Sequence, residues 1–264
     1  MRSRRGLAVY FFLLLSSGFA HAETAEASLR VASSEAVFLD VARQIGGSRV
    51  IGEIVGGVGS ATQRPQILIY DGGAGDHWID GALPKIHAET VIEARSLASN
   101  VEGPSWYDLG AMASLSEALE KELARAAPRA AGAIASRRDD FLRAIGDLKL
   151  KAKSIVDDYR GSSVLLTDAR FEPFCRSLGL KVVAVAAREG RDADAAEAIA
   201  SRKGILLIYN VEAAQGLGSL KALADDNGLP LVGLRLTLPR GLSYQQWIGR
   251  EINLIRGALN EAAP

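Results

Sequence analysis

Short unbroken apolar runs alternate along this chain with stretches in which apolar residues recur every three or four positions. Residues 29–32 (Leu-Arg-Val-Ala) read as a first strand. Residues 36–45 read as a helix, with Val37, Leu39, Val41 and Ala42 about its core-facing side. Residues 50–55 and 67–70 read as further strands, the second (Ile-Leu-Ile-Tyr) a continuous run of the fully buried type. Strands alternating with helices predict parallel βα units.

The middle of the chain changes period. After Pro128, which suits a first helical turn because its missing N–H has no partner there, apolar residues fall at Ile134, Phe141, Ile145, Leu148, Ala152, Ile155 and Tyr159. After the first interval the spacing alternates between four and three, the stripe of an amphipathic helix. Gly161 suits its end. A helix over 128–160 would be a rod of roughly 45 Å. Beyond it the alternation returns, with strands at 164–166, 181–185, 205–209 and 231–234 and helices at 171–178, 193–201, 213–226 and 244–259. The fold class expected is therefore α/β: two lobes with parallel sheets, residues 23–127 and 161–264, joined by one long rigid helix.

The first residues bear on compartment. Arg2, Arg4 and Arg5 precede a short apolar run at 7–15 and the small-x-small triplet Ala20-His21-Ala22. That is the layout of a cleavable signal peptide, residues 1–22, with an apolar stretch shorter than the roughly 20 residues of a membrane span. Export to the periplasm is expected. Cleavage would remove three arginines, leaving 28 basic against 31 acidic residues. A balance so near neutral carries no footprint for nucleic acid. The single cysteine, Cys175, excludes an internal disulfide, so stability must come from packing.

Several segments together resemble the zinc- and manganese-type (cluster A-I) solute-binding proteins of ABC transporters. Residues 41–47 (VARQIGG) look like that family's first helix and its terminating glycine pair. Residues 69–72 (IYDG) followed by 76–79 (DHWI) look like its "YNG…EPWL" segment, and Ala127-Pro128 like the "DP" that opens its linking helix. Residues 164–168 (VLLTD) and 179–183 (GLKVV) resemble "LVTSHDAF…YGLEVV". The resemblance spans nearly the whole mature chain. It implies a ligand cleft between the lobes at the carboxyl ends of the strands, the usual position in open α/β sheets.

In that family four side chains cage a metal ion, and the positions carry over one by one. The first, a His, falls near Thr62, in a loop about a dozen residues shorter than the family's. The second, a His, falls on Ser105, beside Trp106 and Tyr107. The third, His or Glu, falls on Asp168, and the fourth, an Asp, on Arg235. Zinc wants four nitrogen, sulfur or carboxylate donors, and manganese also accepts carboxylates. Only Asp168 keeps such a side chain. The mature histidines, His77 and His87, match no ligand position.

Two readings of the altered cleft follow. If Asp168 and Arg235 face each other, the guanidinium replaces the missing cation and the cleft is an internally locked docking element. Alternatively, Arg235 holds an anionic ligand such as a metal chelate, with Trp106, Tyr107 and Trp78 as aromatic faces. Against both stands the plainer reading that Asp168 caps the helix after it and Arg235 faces water.

Other chemistry is poorly represented. The loop at 56–60 (GGVGS) lacks phosphate-binding glycine spacing, no G-x-S-x-G elbow is present, and Cys175 sits among Phe174 and Leu178 as a small apolar residue. The expectation is a monomeric, non-enzymatic periplasmic solute-binding protein. Its partners would be an ABC transporter permease and a small solute, a metal chelate, or zinc or manganese at an altered site that includes Asp168. The alternative is a non-transport accessory protein on the same scaffold.

Overall fold

In the computed structural model, which describes residues 28–56, 64–99, 102–185 and 192–262, two four-stranded parallel sheets repeat one topology. The first contains β1 (Leu29–Ser33), β2 (Val50–Ile54), β3 (Ile67–Tyr70) and β4 (Thr90–Glu93) in the order β2-β1-β3-β4. The second contains β5 (Ser163–Leu166), β6 (Lys181–Val185), β7 (Leu207–Asn210) and β8 (Leu231–Leu234) in the order β6-β5-β7-β8. Each lobe thus starts on an inner strand, steps outward once, then crosses over to the other side. The sequence shows no repeat of matching period, so the likeness lies in connectivity alone.

Crossovers supply the helices. In the first lobe these are α1 (Ala36–Gly46) and α2 (Ile79–Ile86). Residues 109–126, which the apolar pattern above does not single out, form α3 (Leu109–Ala126). Asp108 starts it, its carboxylate accepting the N–H groups of Gly110 at 2.7 Å and Ala111 at 3.0 Å. Asp at this position satisfies donors that have no partner within the helix. A tight turn at Pro128–Ala130 reverses the chain into α4 (Ala131–Tyr159). The proline therefore serves the turn before the rod and not its first α-helical turn, and α3 packs along α4 as a helical hairpin.

Ile134, Phe141, Ile145, Leu148 and Ile155 of α4 are all buried, which is the stripe expected of the linking helix. Twenty-nine residues make it roughly 43 Å long. The second lobe adds α5 (Glu172–Ser177), α6 (Asp192–Ala200) and α7 (Gly218–Asp226). Finally α8 (Tyr244–Ala262) lies against α4 and reaches α1.

That last contact joins the two lobes. Tyr244 donates its N–H to Asp40 on α1 at 2.8 Å, Gln44 and Gln245 exchange amide hydrogen bonds, and the Tyr244 hydroxyl donates to the Trp106 carbonyl at 2.8 Å. One apolar cluster accordingly runs from β1 and α1 through α4 to β8 and α8. Two smaller clusters cover the outer faces of the sheets. Among the described residues no helix is long and apolar enough to cross a membrane.

Candidate functional site

Loops at the carboxyl ends of both sheets enclose a cleft of about 380 Å³. Glu35, Asp71, Asp76, Arg95 and Trp106 line it from the first lobe, and Arg170, Glu212 and Thr237 from the second. This is the place where crossed-over parallel strands leave polar chain ends pointing into a crevice. A larger groove, about 650 Å³, runs along α4 beside Lys149, Lys153 and Arg176. Its ion pairs are surface pairs such as Lys153–Asp157, which hold little free energy.

The first-lobe wall is built around two buried carboxylates. Asp76 accepts the N–H of Asp71 at 2.8 Å, that of Gly72 at 3.2 Å and the Ser34 hydroxyl at 3.1 Å. Asp71 accepts the Ser105 N–H at 3.0 Å and pairs with Arg95 at 2.7 Å. Glycine is required between them. Gly72 has φ +85°, and a Cβ there would lie 2.3 Å from the Glu93 carboxylate, while a Cβ on Gly73 would lie 2.3 Å from the Arg95 guanidinium.

The second-lobe wall uses a different set. Asp168 accepts Arg170 Nη2 at 2.7 Å, Arg170 Nε at 3.0 Å, the Arg170 N–H at 3.0 Å and Asn210 Nδ2 at 2.9 Å. Burial works against its ionisation, but the Arg170 and Asn210 bonds win and hold the carboxyl below its ordinary pKa. Glu212 accepts the N–H groups of Leu236 at 3.2 Å and Thr237 at 3.1 Å, and the Thr237 hydroxyl, so it clamps the loop after β8.

The expected pairing of Asp168 with Arg235 is replaced. The guanidinium at Asp168 belongs to Arg170, two residues along the turn that Asp168 caps, and this local fork together with Asn210 of β7 occupies the carboxylate without Arg235. Arg235 is exposed, and it contributes through its backbone. Tyr107 is core and not a cleft face: it stacks on Phe174 at 4.6 Å and meets Phe171 and Trp247. Trp78 is half-buried against the outer cluster of the first sheet. Trp106 does line the cleft, edge-on to Phe38, and its Nε1–H is buried without a partner. The Ser105 hydroxyl is buried and unpartnered as well. Thr62 lies outside the described residues.

Below the cleft lies a carboxyl that no sequence pattern marks. Glu251 of α8 is buried; Oε1 accepts Trp247 Nε1 and the Arg235 N–H, both at 2.8 Å, and Oε2 lies 3.0 Å from the Tyr107 hydroxyl. That hydroxyl also donates to the Arg235 carbonyl. One phenolic proton cannot serve two acceptors. Both contacts are satisfied when Glu251 carries the proton and donates to Tyr107. Burial pushes its pKa up to about 7, in keeping with that proton.

Glu35 is the other displaced acid. It stands at the start of α1, half-buried, and its side chain makes no capping bond. Burial, then Asp76, Asp71 and Glu212, raise its pKa to about 7.

Among the described residues no group of three His, Cys, Asp or Glu side chains converges on one point. Asp168, the one position that keeps a ligating side chain, spends its oxygens on Arg170 and Asn210.

Comparison with solved structures places the architecture. The chain has the fold of the metal-type (cluster A-I) solute-binding proteins. The solute-binding protein FpvC of Pseudomonas aeruginosa, in complex with Ni2+, superposes with a TM-score of 0.69 at 15% identity, over 90% of this chain and 98% of that one. Zn(II)-bound AdcA of Streptococcus pneumoniae gives 0.72 at 15% identity, over 90% of this chain and 59% of that one. The laminin-binding protein Lbp of Streptococcus pyogenes gives 0.69 at 11% identity, over 89% and 99%. No protein-family model and no curated protein sequence matches the chain.

Proposed function

We propose that this chain is a periplasmic solute-binding protein that delivers a small ligand to the permease of an ABC uptake transporter, and that it is not an enzyme. The observation that carries the reading is the cleft between the strand ends of both lobes, of a size suited to a small molecule. The fold supports it, as do the metal-bound neighbours and the signal-like residues 1–22. Against bare zinc or manganese as the cargo stands the loss of converging ligands. Among the described residues no three metal-ligating side chains converge, and Asp168 is engaged by Arg170.

A second reading has its own support. Each wall neutralises one buried aspartate internally, Asp71 with Arg95 and Asp168 with Arg170, as an empty docking element would. Thermal unfolding of the mature protein, with zinc, manganese, copper, iron chelates and small organic solutes added in turn, separates the two. A ligand at 100 times its dissociation constant adds about 2.7 kcal/mol. A saturable shift with any of them supports the transport reading, and no shift with any supports the accessory one.

A further inference from the structure

Glu35 and Asp168 hold equivalent places in the two lobes. Each is the second residue after the first strand of its sheet, and each directly precedes a helical turn. Asp168 is neutralised by Arg170 and Asn210. Glu35 meets no hydrogen-bond donor through its carboxyl and no guanidinium among the described residues. The other three carboxylates of the cleft are engaged: Asp71 by Arg95 and the Ser105 N–H, Asp76 by two backbone N–H groups and Ser34, Glu212 by the loop after β8. The guanidiniums that line the cleft are held in turn, Arg95 by Asp71 and Arg170 by Asp168.

Among the described residues that line the cleft, two groups are therefore left to meet a ligand. One is the Glu35 carboxyl. The other is the Trp106 indole N–H, more than nine-tenths buried and without an acceptor. A buried donor left without an acceptor is costly, so its place in a ligand cleft points to an oxygen supplied from outside. The carboxyl asks for a cation, and the surrounding Asp71, Asp76 and Glu212 make the field negative.

We propose that the cleft binds a small organic cation, a protonated amine or quaternary ammonium carrying an oxygen acceptor, with Glu35 opposite the charge and Trp106 donating to the oxygen. The proposal rests on the solute-binding reading above and names its ligand class. Glu35, with its pKa near 7, faces Asp71 and Asp76 from the loop after β3, Glu212 from the turn after β7, and the held Arg95 and Arg170. A bound cation favours the ionised form, so binding near pH 7 releases a proton from Glu35.

Isothermal titration calorimetry of the mature chain with ethanolamine and with choline tests this, with 3,3-dimethylbutan-1-ol as the uncharged isostere of choline and zinc and manganese ions as the inorganic alternative. Expected is saturable binding of at least one amine and none of the isostere. The dissociation constant should fall about tenfold from pH 6 to pH 8, as the ionised fraction of Glu35 rises. Proton release should appear as a heat that depends on the buffer. Glu35→Gln, nearly isosteric, should weaken binding at least tenfold at pH 8. Trp106→Phe keeps an aromatic ring against Phe38 but loses the donor and some packing, and should weaken binding severalfold at a temperature where its unfolding curve shows the variant still folded.

Binding of zinc or manganese with no binding of either amine overturns the organic cation and leaves the solute-binding reading standing. Amine binding indifferent to Glu35→Gln overturns the assigned site. No binding of any of these probes overturns the proposal, and the wider solute-binding reading is then decided by the iron and copper titrations.

Discussion

Two acidic residues in corresponding places, Glu35 after β1 and Asp168 after β5, have opposite electrostatics. Asp168 caps its turn, accepts a fork of donors from Arg170 and is held in its charged form. Glu35 has one methylene more, caps nothing, and is pushed toward its neutral form by burial and by Asp76 and Asp71. Strand-end position therefore decides that an acid lies at the cleft, and the two residues that follow decide its charge. At 169–170 the chain offers Ala-Arg; at 36–37 it offers Ala-Val. A guanidinium two residues on reaches back to the carboxylate, and a valine turns into the core.

The largest effect to expect comes from a third carboxyl that titrates in the same window as Glu35 and must be removed before Glu35 can be read. Glu251 has a folded pKa of about 7, above its unfolded value near 4.5. From pH 4.5 to 7 the unfolded chain loses this proton while the folded one keeps it, so stability falls as pH rises, by about 3 kcal/mol. Glu251→Gln, which can donate to Tyr107 at every pH, should flatten that slope in urea unfolding. An unchanged slope would place the proton elsewhere.

Next in size is Arg170→Leu, which makes the second-lobe acid resemble Glu35. At pH 7 it should destabilise the protein by about 2 kcal/mol, the usual worth of hydrogen bonds to a charged group. Asp168 is depressed in the native chain, so its contribution is present above the unfolded pKa and lost as pH falls. The variant should lose this acid-side dependence, and equal losses at pH 3 and pH 7 would contradict the assignment.

Tyr107→Phe should cost about 1 kcal/mol, since the Arg235 carbonyl and Glu251 lose one shared hydroxyl while the ring stack on Phe174 stays. Smallest is Glu35→Gln without ligand. It should gain less than about 1 kcal/mol at pH 8 and nothing at pH 4, because a half-exposed acid is screened by water. A loss of stability at pH 8 would mean that Glu35 has a cationic partner after all.

Much of the fold is legible in the residues. Ile67–Tyr70 and the run 205–209 that leads through β7 are continuous apolar stretches, as strands covered on both faces must be, and the stripe from Ile134 to Ile155 gives the rod. The helix before the rod is also legible, from Asp108 and the four-residue spacing of Leu115, Leu119 and Leu123, but an account built on one rod passes over it. The strand β4, four residues with one buried side chain, has no such period to show.

The cleft is harder. Resemblance leads to Ser105, Trp106 and Asp168, two of which adjoin or line it, and its segments include Asp71 and Asp76 without giving them a role, but Glu35 and Glu212 are single acids at chain bends. Single positions have no periodicity, and their meaning depends on which loops meet. The Arg170 partner is the exception: Asp-x-Arg at a helix start is a local pattern, readable before any coordinates.

Asp40 and Gln44 on the first helix take their partners, Tyr244 and Gln245, from the last one, about two hundred residues later. Contacts so distant in sequence form late and slow the search for the native state. The first lobe's inner side is covered mainly by α3 and α4, yet the edge where α1 meets α8 stays unsealed until the last helix arrives. A growing or truncated chain would expose that apolar seam, so the carboxyl-terminal helix acts as the closing stitch of the whole molecule.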